Sequence, residues 1–189
     1  MNIIDKYLKE ISMSDEDKIE NTSKVGCAVV VKEGDNGEKL VLVLRRSPED
    51  HWPLHLDLPR GKCDYGDDKK SGEPVPQCTI RECKEECGLD IKLVKFIDKF
   101  SYLADEGTRK TTQYNFLCKM KNPNQQVKLS EEHDQFMWIS SVGEAELMLM
   151  PEMKKTISKI LNTDSKIVDY PENKIDDVSI DEILDREFK

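Results

Sequence analysis

Three glutamates carry the first chemical signal in this chain. In the run Arg81-Glu82-Cys83-Lys84-Glu85-Glu86-Cys87-Gly88-Leu89 the acids recur at i, i+3 and i+4, the spacing that makes side chains neighbours on adjacent turns of a helix. At 100° per residue Glu82, Glu85 and Glu86 share one face, while Ile80, Cys83 and Cys87 share the opposite stripe. Like charges so placed repel by roughly 0.2–0.5 kcal/mol per pair. A divalent cation reverses that sign, and Mg²⁺ in particular takes hard carboxylate oxygens while keeping sites for water and substrate phosphates. With 38 acidic side chains in 189 residues, a solvated acidic face is the ordinary reading of any single Glu. The surroundings argue otherwise: Glu73 lies eight residues before Arg81, and Gly61 sits in the loop before that.

Those residues need a helix and a loop held against a sheet, and the flanking sequence supplies both. Pro74 to Cys87 reads as a helix, with Pro in the first turn and Gly88 at the stop. Before it, Val25 to Lys32 and Lys39 to Arg46 read as strands joined at Gly34-Asp35-Asn36-Gly37. Residues 47–73 read as one long loop, a length that usually signals function. After the helix come expected strands at Ile91–Phe100 and Thr111–Lys119, turning at Asp105-Glu106-Gly107-Thr108, and a shorter one at Phe136–Ile139. Helices at Gly143–Leu149 and Pro151–Leu161 close the domain. Residues 1–22 form an expected N-terminal helical extension on Ile3, Ile4, Tyr7, Leu8 and Ile11. Residues 162–189, nine acids against four bases, form an acidic tail whose Ser179 and Glu182 make a capping box before a short terminal helix.

Composition narrows the function classes. A formal charge of -9 repels nucleic-acid backbone and anionic lipid, which argues against a nucleic-acid or membrane partner. No apolar run approaches the eighteen or so residues of a membrane span, and the first residues lack a signal-peptide pattern. The expectation is a cytoplasmic protein with reduced thiols at Cys27, Cys63, Cys78, Cys83, Cys87 and Cys118. No CxxC pair or coupled His spacing supports a soft-metal site, so these cysteines, with Trp52 and Trp138, are read as packing residues.

The run from Glu73 through Arg81-Glu82-Cys83-Lys84-Glu85-Glu86-Cys87-Gly88-Leu89 resembles the signature box of the Nudix hydrolases (MutT-like): Gly, five residues, Glu, seven residues, Arg-Glu-aliphatic-x-Glu-Glu-x-Gly-aliphatic. Every position from Glu73 on fits, with Cys83 in the aliphatic place. One departure stands out. Eleven residues separate Gly61 from Glu73 instead of five, so 65–70 reads as a six-residue insertion. The likeness spans about residues 23–161. It implies an α/β fold, the Nudix α/β/α sandwich with a mixed central sheet, and a Mg²⁺-dependent pyrophosphohydrolase in which Mn²⁺ is an alternative ion. It further implies that Glu82, Glu85 and Glu86 bind metal and activate water, that Arg81 pairs with Glu73, and that the Gly61 carbonyl and Glu132 are further metal contacts. Bound metal in such a site neutralises diphosphate oxygens and acidifies water, and a carboxylate takes the proton.

Flanking motifs resemble the asymmetric diadenosine tetraphosphate hydrolases: Leu58-Pro59-Arg60-Gly61-Lys62, Phe100-Ser101-Tyr102 and Ser130-Glu131-Glu132-His133-Asp134-Gln135-Phe136-Met137-Trp138. The implied substrate is a dinucleoside tetraphosphate, with a nucleoside triphosphate or ADP-ribose as the alternative. By that likeness Tyr102 and Phe136 sandwich an adenine, while His55, Arg60, Lys62, Arg109 and Lys110 are candidates for the phosphate chain. The proline typical of ADP-ribose enzymes would fall near Ala104, and none is there. Pro59-Arg60-Gly61-Lys62 also suggests mRNA decapping, which needs a basic path that the charge balance opposes. A nucleotide-binding module without catalysis usually loses box carboxylates, and this chain keeps them all.

Overall fold

Every residue from Val25 to Val31 is buried, so the strand that carries them, β1 (Thr22–Glu33), must be covered on both faces. The computed structural model, which describes residues 22–50, 53–63, 73–145 and 148–163, meets that demand with a mixed seven-stranded sheet between two helices. β1 pairs antiparallel with β2 (Lys39–Arg46) and β4 (Arg60–Lys62), and parallel with β6 (Arg109–Met120). β5 (Ile91–Ala104) adds antiparallel to β6, while β3 (Leu56–Asp57) and β7 (His133–Ile139) pair with β2. Register shifts between Leu93 and Lys95 and between Phe96 and Asp98 put two bulges into β5.

Side-chain alternation divides the core into two layers. Ala28, Val30, Leu42 and Leu44 face α1 (Val75–Cys87), meeting Val75, Cys78, Cys83 and Cys87. Val29, Val31, Val41 and Val43 face α2 (Pro151–Leu161), meeting Met153, Ile157 and Ile160. This is the expected α/β/α sandwich. All six cysteines are free and buried, five of them in the α1 layer, as packing residues should be. Trp138 is half-buried against the same layer, with the Lys32 ammonium 4.4 Å from its ring centroid. No helix among the described residues is long and apolar enough to cross a membrane.

Some boundaries differ from those read in the sequence. The loop 47–73 contains two short strands, β3 and β4. β5 runs on to Ala104 and β7 begins at His133. A 3₁₀ turn, Val142–Ala145, occupies the start of the expected 143–149 helix. The 1–22 helix, Trp52, the 65–70 insertion and the terminal helix of the tail lie outside the described residues, apart from Thr22, which opens β1.

α1 lies unusually close to β1. A Cβ on Gly26 would stand 2.5 Å from the Thr79 Oγ1, 2.9 Å from its amide nitrogen and 3.0 Å from the Val75 carbonyl oxygen. Two of those atoms are helix backbone and cannot step aside. Gly26→Ala is therefore expected to destabilise the fold by about 1–3 kcal/mol, read as a lowered midpoint in chemical denaturation with an unchanged slope.

Candidate active site

α1 is delimited by local signals. Pro74 occupies the cap position with Pro76 in the first turn, and Gly88 ends the helix at φ 73°, its N–H donating to the Lys84 carbonyl at 3.0 Å. Cys83 and Cys87 face the core, with their sulfurs 3.5 Å apart, so Glu82, Glu85 and Glu86 turn toward the loop and β4. Arg81 gathers the acids of the box. Its Nε and Nη2 donate to Glu73 Oε2 at 3.0 and 2.9 Å, Nη2 lies 2.8 Å from Glu82 Oε1, and Nη1 donates to Glu85 Oε2 at 2.9 Å. A further bond from Nη2 to the Lys62 carbonyl, 3.1 Å, ties the same guanidinium to β4. The Arg81–Glu73 pair implied by the resemblance is present.

Glu86 differs from its neighbours. It is only 5% exposed, and Oε2 accepts the backbone N–H of Arg60 at 2.9 Å. Burial pushes its carboxyl well above the usual range, against the pull of that amide, and the Asp57 charge adds to the rise. Burial raises Glu82 as well, with Arg81 opposing it. Glu132 acts electrostatically on both. Its position follows from the end of α1: Lys128 N–H donates to the Cys87 carbonyl and Ser130 N–H to the Glu86 carbonyl, each at 2.9 Å, and Ser47 N–H donates to the Glu132 carbonyl at 2.9 Å. Gly88 leaves room for this strap, since a Cβ there would come within 3.1 Å of the Lys128 Cβ.

The donor set suits a hard divalent cation. It offers carboxylate oxygens, two of them on side chains whose burial disfavours the charged form and so rewards a cation, and there is no soft ligand among them. Glu82 and Glu86, with Glu132 beside them, are the residues that would hold it. As the side chains stand, no three acidic, imidazole or thiol groups among the described residues converge closely enough to do so, and Glu73, Glu82 and Glu85 are gathered on Arg81. Glu85 is 56% exposed and turned to Arg81. The Gly61 carbonyl faces the Cys78 thiol at 3.4 Å. Gly61 serves the site in another way: a Cβ on it would fall 2.0–2.4 Å from the Glu82 carboxylate atoms, so only glycine leaves space for that group.

The expected substrate contacts are distributed unevenly. Lys62 is exposed at the end of β4, and His55 is exposed with Nδ1 3.2 Å from the Pro53 carbonyl. Arg109 pairs with Asp105 at 3.0 Å beside Lys110 at the start of β6. Arg60, a candidate for the phosphate chain, has its guanidinium engaged within the protein, with Nε donating to both Asp57 oxygens (2.9 and 2.8 Å) and Nη1 to the Tyr102 hydroxyl and Gln113 Oε1 (3.0 Å each). Tyr102 and Phe136 are not brought into one stack. Tyr102 lies on β5 against Arg60, with the Phe100 ring centroid 6.0 Å away, while Phe136 is 42% exposed on β7, separated in pairing order by β6, β1 and β2. Sequence reading missed Asp57, buried beneath this group. Its signal was an acid between Leu56 and Leu58, three residues before an arginine.

The NUDIX domain profile matches residues 22–160. The asymmetrical bis(5'-nucleosyl)-tetraphosphatase of Mus musculus is 29% identical over 129 residues, covering 66% of this chain and 80% of that protein. A crystal structure of a C. elegans Ap4A hydrolase binary complex is similar with a TM-score of 0.57 and 25% identity, over 73% of this chain and 94% of that one. The NUDIX domain of Shewanella oneidensis NrtR, solved with ADP ribose, shares the fold at a TM-score of 0.55 and 14% identity, over 85% of this chain and 99% of that one.

Two outcomes test the geometry. Gly61→Ala meets a flexible carboxylate rather than backbone, so its fold should persist while the displaced Glu82 lowers kcat/KM by about 10²-fold, measured beside circular dichroism. Glu86→Gln keeps an acceptor for the Arg60 N–H and removes the buried charge. Because folding raises the Glu86 pKa, the wild type loses stability as pH rises from its unfolded value, about 4.3, through the folded one. With chelator present, the variant should melt higher at neutral pH, and the gap should close below about pH 4.

Proposed function

The chain belongs to the NUDIX domain family, a family of pyrophosphohydrolases, and from that premise we propose that it hydrolyses nucleoside polyphosphates with a divalent cation, Mg²⁺ or Mn²⁺, its first substrate being a dinucleoside tetraphosphate such as diadenosine tetraphosphate. The observation that carries the reading is Glu86: a buried carboxylate with one oxygen held by the Arg60 amide, on the same helix face as a Glu82 that sits in the space left by Gly61. The substrate class rests on the 29% identity to the mouse tetraphosphatase, in line with the flanking motifs.

The residues divide the work. Glu82 and Glu86, with Glu132, would hold the cation. When bound, the cation supplies charge neutralisation at the diphosphate oxygens and eases the deprotonation of water. A bound cation would offset the burial that raises the Glu86 carboxyl and keep it ionised, able to take the proton at the oxygen that the Arg60 amide does not bond. Arg81 keeps Glu82 and Glu85 oriented and joins them to Glu73. Lys62, exposed beside Gly61, is the side chain best placed to meet the polyphosphate, with His55, Arg109 and Lys110 as further candidates. Tyr102 and Phe136 offer aromatic faces to the bases as separate contacts, on strands well apart in the sheet.

A chromatographic product assay on diadenosine tetraphosphate, ADP-ribose and nucleoside triphosphates tests this. The expected outcome is ATP plus AMP from diadenosine tetraphosphate, seen with Mg²⁺ and abolished by chelator. Glu86→Gln should lower turnover by about 10²–10⁴-fold in a folded protein. Cleavage of another member of the panel would retain the mechanism and replace the substrate. Retained activity in Glu86→Gln would remove its assigned role.

A further inference from the structure

Asp57 takes no part in the chemistry above, yet the site is built around it. It is 4% exposed, and its carboxylate holds two arginines. Arg60 Nε bonds both oxygens, and Arg46 Nε and Nη2 approach Oδ2 at 3.3 and 3.2 Å, while the Leu58 N–H donates to Oδ1 at 2.8 Å. Arg46 has a second acid, Asp50, at 3.0 Å, so its own charge is partly met without Asp57. Arg60 is divided differently. The Nε edge of its guanidinium is spent on Asp57, and Nη1 reaches across to Tyr102 on β5 and Gln113 on β6. Its backbone amide meanwhile holds Glu86. One residue of β4 thus touches β3, β5, β6 and α1, and which way its side chain points is set by Asp57.

We propose that Asp57 is a positioning residue for the reaction: by capturing Arg60 it fixes the Tyr102 hydroxyl, and with it the ring that meets a nucleoside, in register with the carboxylate held by the Arg60 amide. This rests on the nucleotide reading above. A carboxylate serving stability alone would gain the same from any pair of buried cations. The divided bonding of Arg60 is what links the acid to a residue on another strand, 42 positions away in sequence. Charge-assisted bonds of this kind are directional, so losing the anion frees the guanidinium to rotate away from Tyr102.

The test is a double-mutant cycle with two readouts on the full chain. The first needs no substrate. Protein labelled with ¹³Cζ-tyrosine carries five signals, one per tyrosine, and Tyr102→Phe identifies the Tyr102 line by its loss. In Asp57→Asn that line is expected to move while lines remote from the site stay. The second is KM for diadenosine tetraphosphate at a temperature where every variant is folded. Asp57→Asn and Tyr102→Phe should each raise KM by about five- to tenfold, and the double variant should be no worse than Asp57→Asn alone. If Asp57→Asn fails to fold, Asp57→Glu, which retains the charge but displaces it by one methylene, takes its place in both measurements. A stationary Tyr102 line, or KM effects that multiply in the double variant, would overturn the proposal and leave Asp57 a stabilising ion pair. If the wild type cleaves no nucleotide, the substrate reading falls and the Tyr102 line alone decides the linkage.

Discussion

A carboxylate kept out of water at the end of a helix is the constraint on which this structure turns. Burying the Glu86 charge is costly unless something compensates it, and the compensation is assembled from several directions. β4 offers the Arg60 amide and Arg46 lends a favourable field, while the strap 127–132, crossing the last turn of α1, brings the opposing like charge of Glu132. Each contribution needs close approach, which is why glycines stand at Gly26, Gly61 and Gly88, where a methyl group would strike the helix, the Glu82 carboxylate or the strap.

In the proposed function Arg81 and a bound cation would have related roles. One guanidinium cannot neutralise Glu73, Glu82 and Glu85 together, and the net negative charge left in this group would favour a divalent ion. A second arginine, Arg60, has been withdrawn from that competition by Asp57. The two arginines therefore do different jobs: Arg81 gathers the acids of the box, whereas Arg60 is bonded between Asp57 on one side and Tyr102 and Gln113 on the other.

How much of this was legible in the sequence depends on how local each signal is. α1 was readable nearly to the residue, because Pro74, the 3.6-residue stripe of Ile80, Cys83 and Cys87, and Gly88 lie within one stretch of chain. The box of acids was readable for the same reason. β3 and β4 were not, since strands of two and three residues have no periodicity of their own and exist through pairing with β2 and β1. Arg60 reads as a phosphate ligand by residue type and by its place beside Gly61. The direction of its guanidinium is set by Asp57, Tyr102 and Gln113, the last two on strands that only the tertiary fold brings near. The separation of Tyr102 from Phe136 is likewise a matter of strand order, which spacing along the chain does not encode.

The two bulges in β5 reach beyond the active site. Each inserts one residue, Val94 and Ile97, and both side chains end in the α2 layer of the core. The strand bends where they sit. Among the described residues β5 pairs on one side only, and along it Lys92, Lys95 and Lys99 recur. A kinked, lysine-studded margin is a poor template for a strand from another molecule. In a crowded solution this edge would turn such strands away, and the two residues that kink it are the same ones that help to fill the interior.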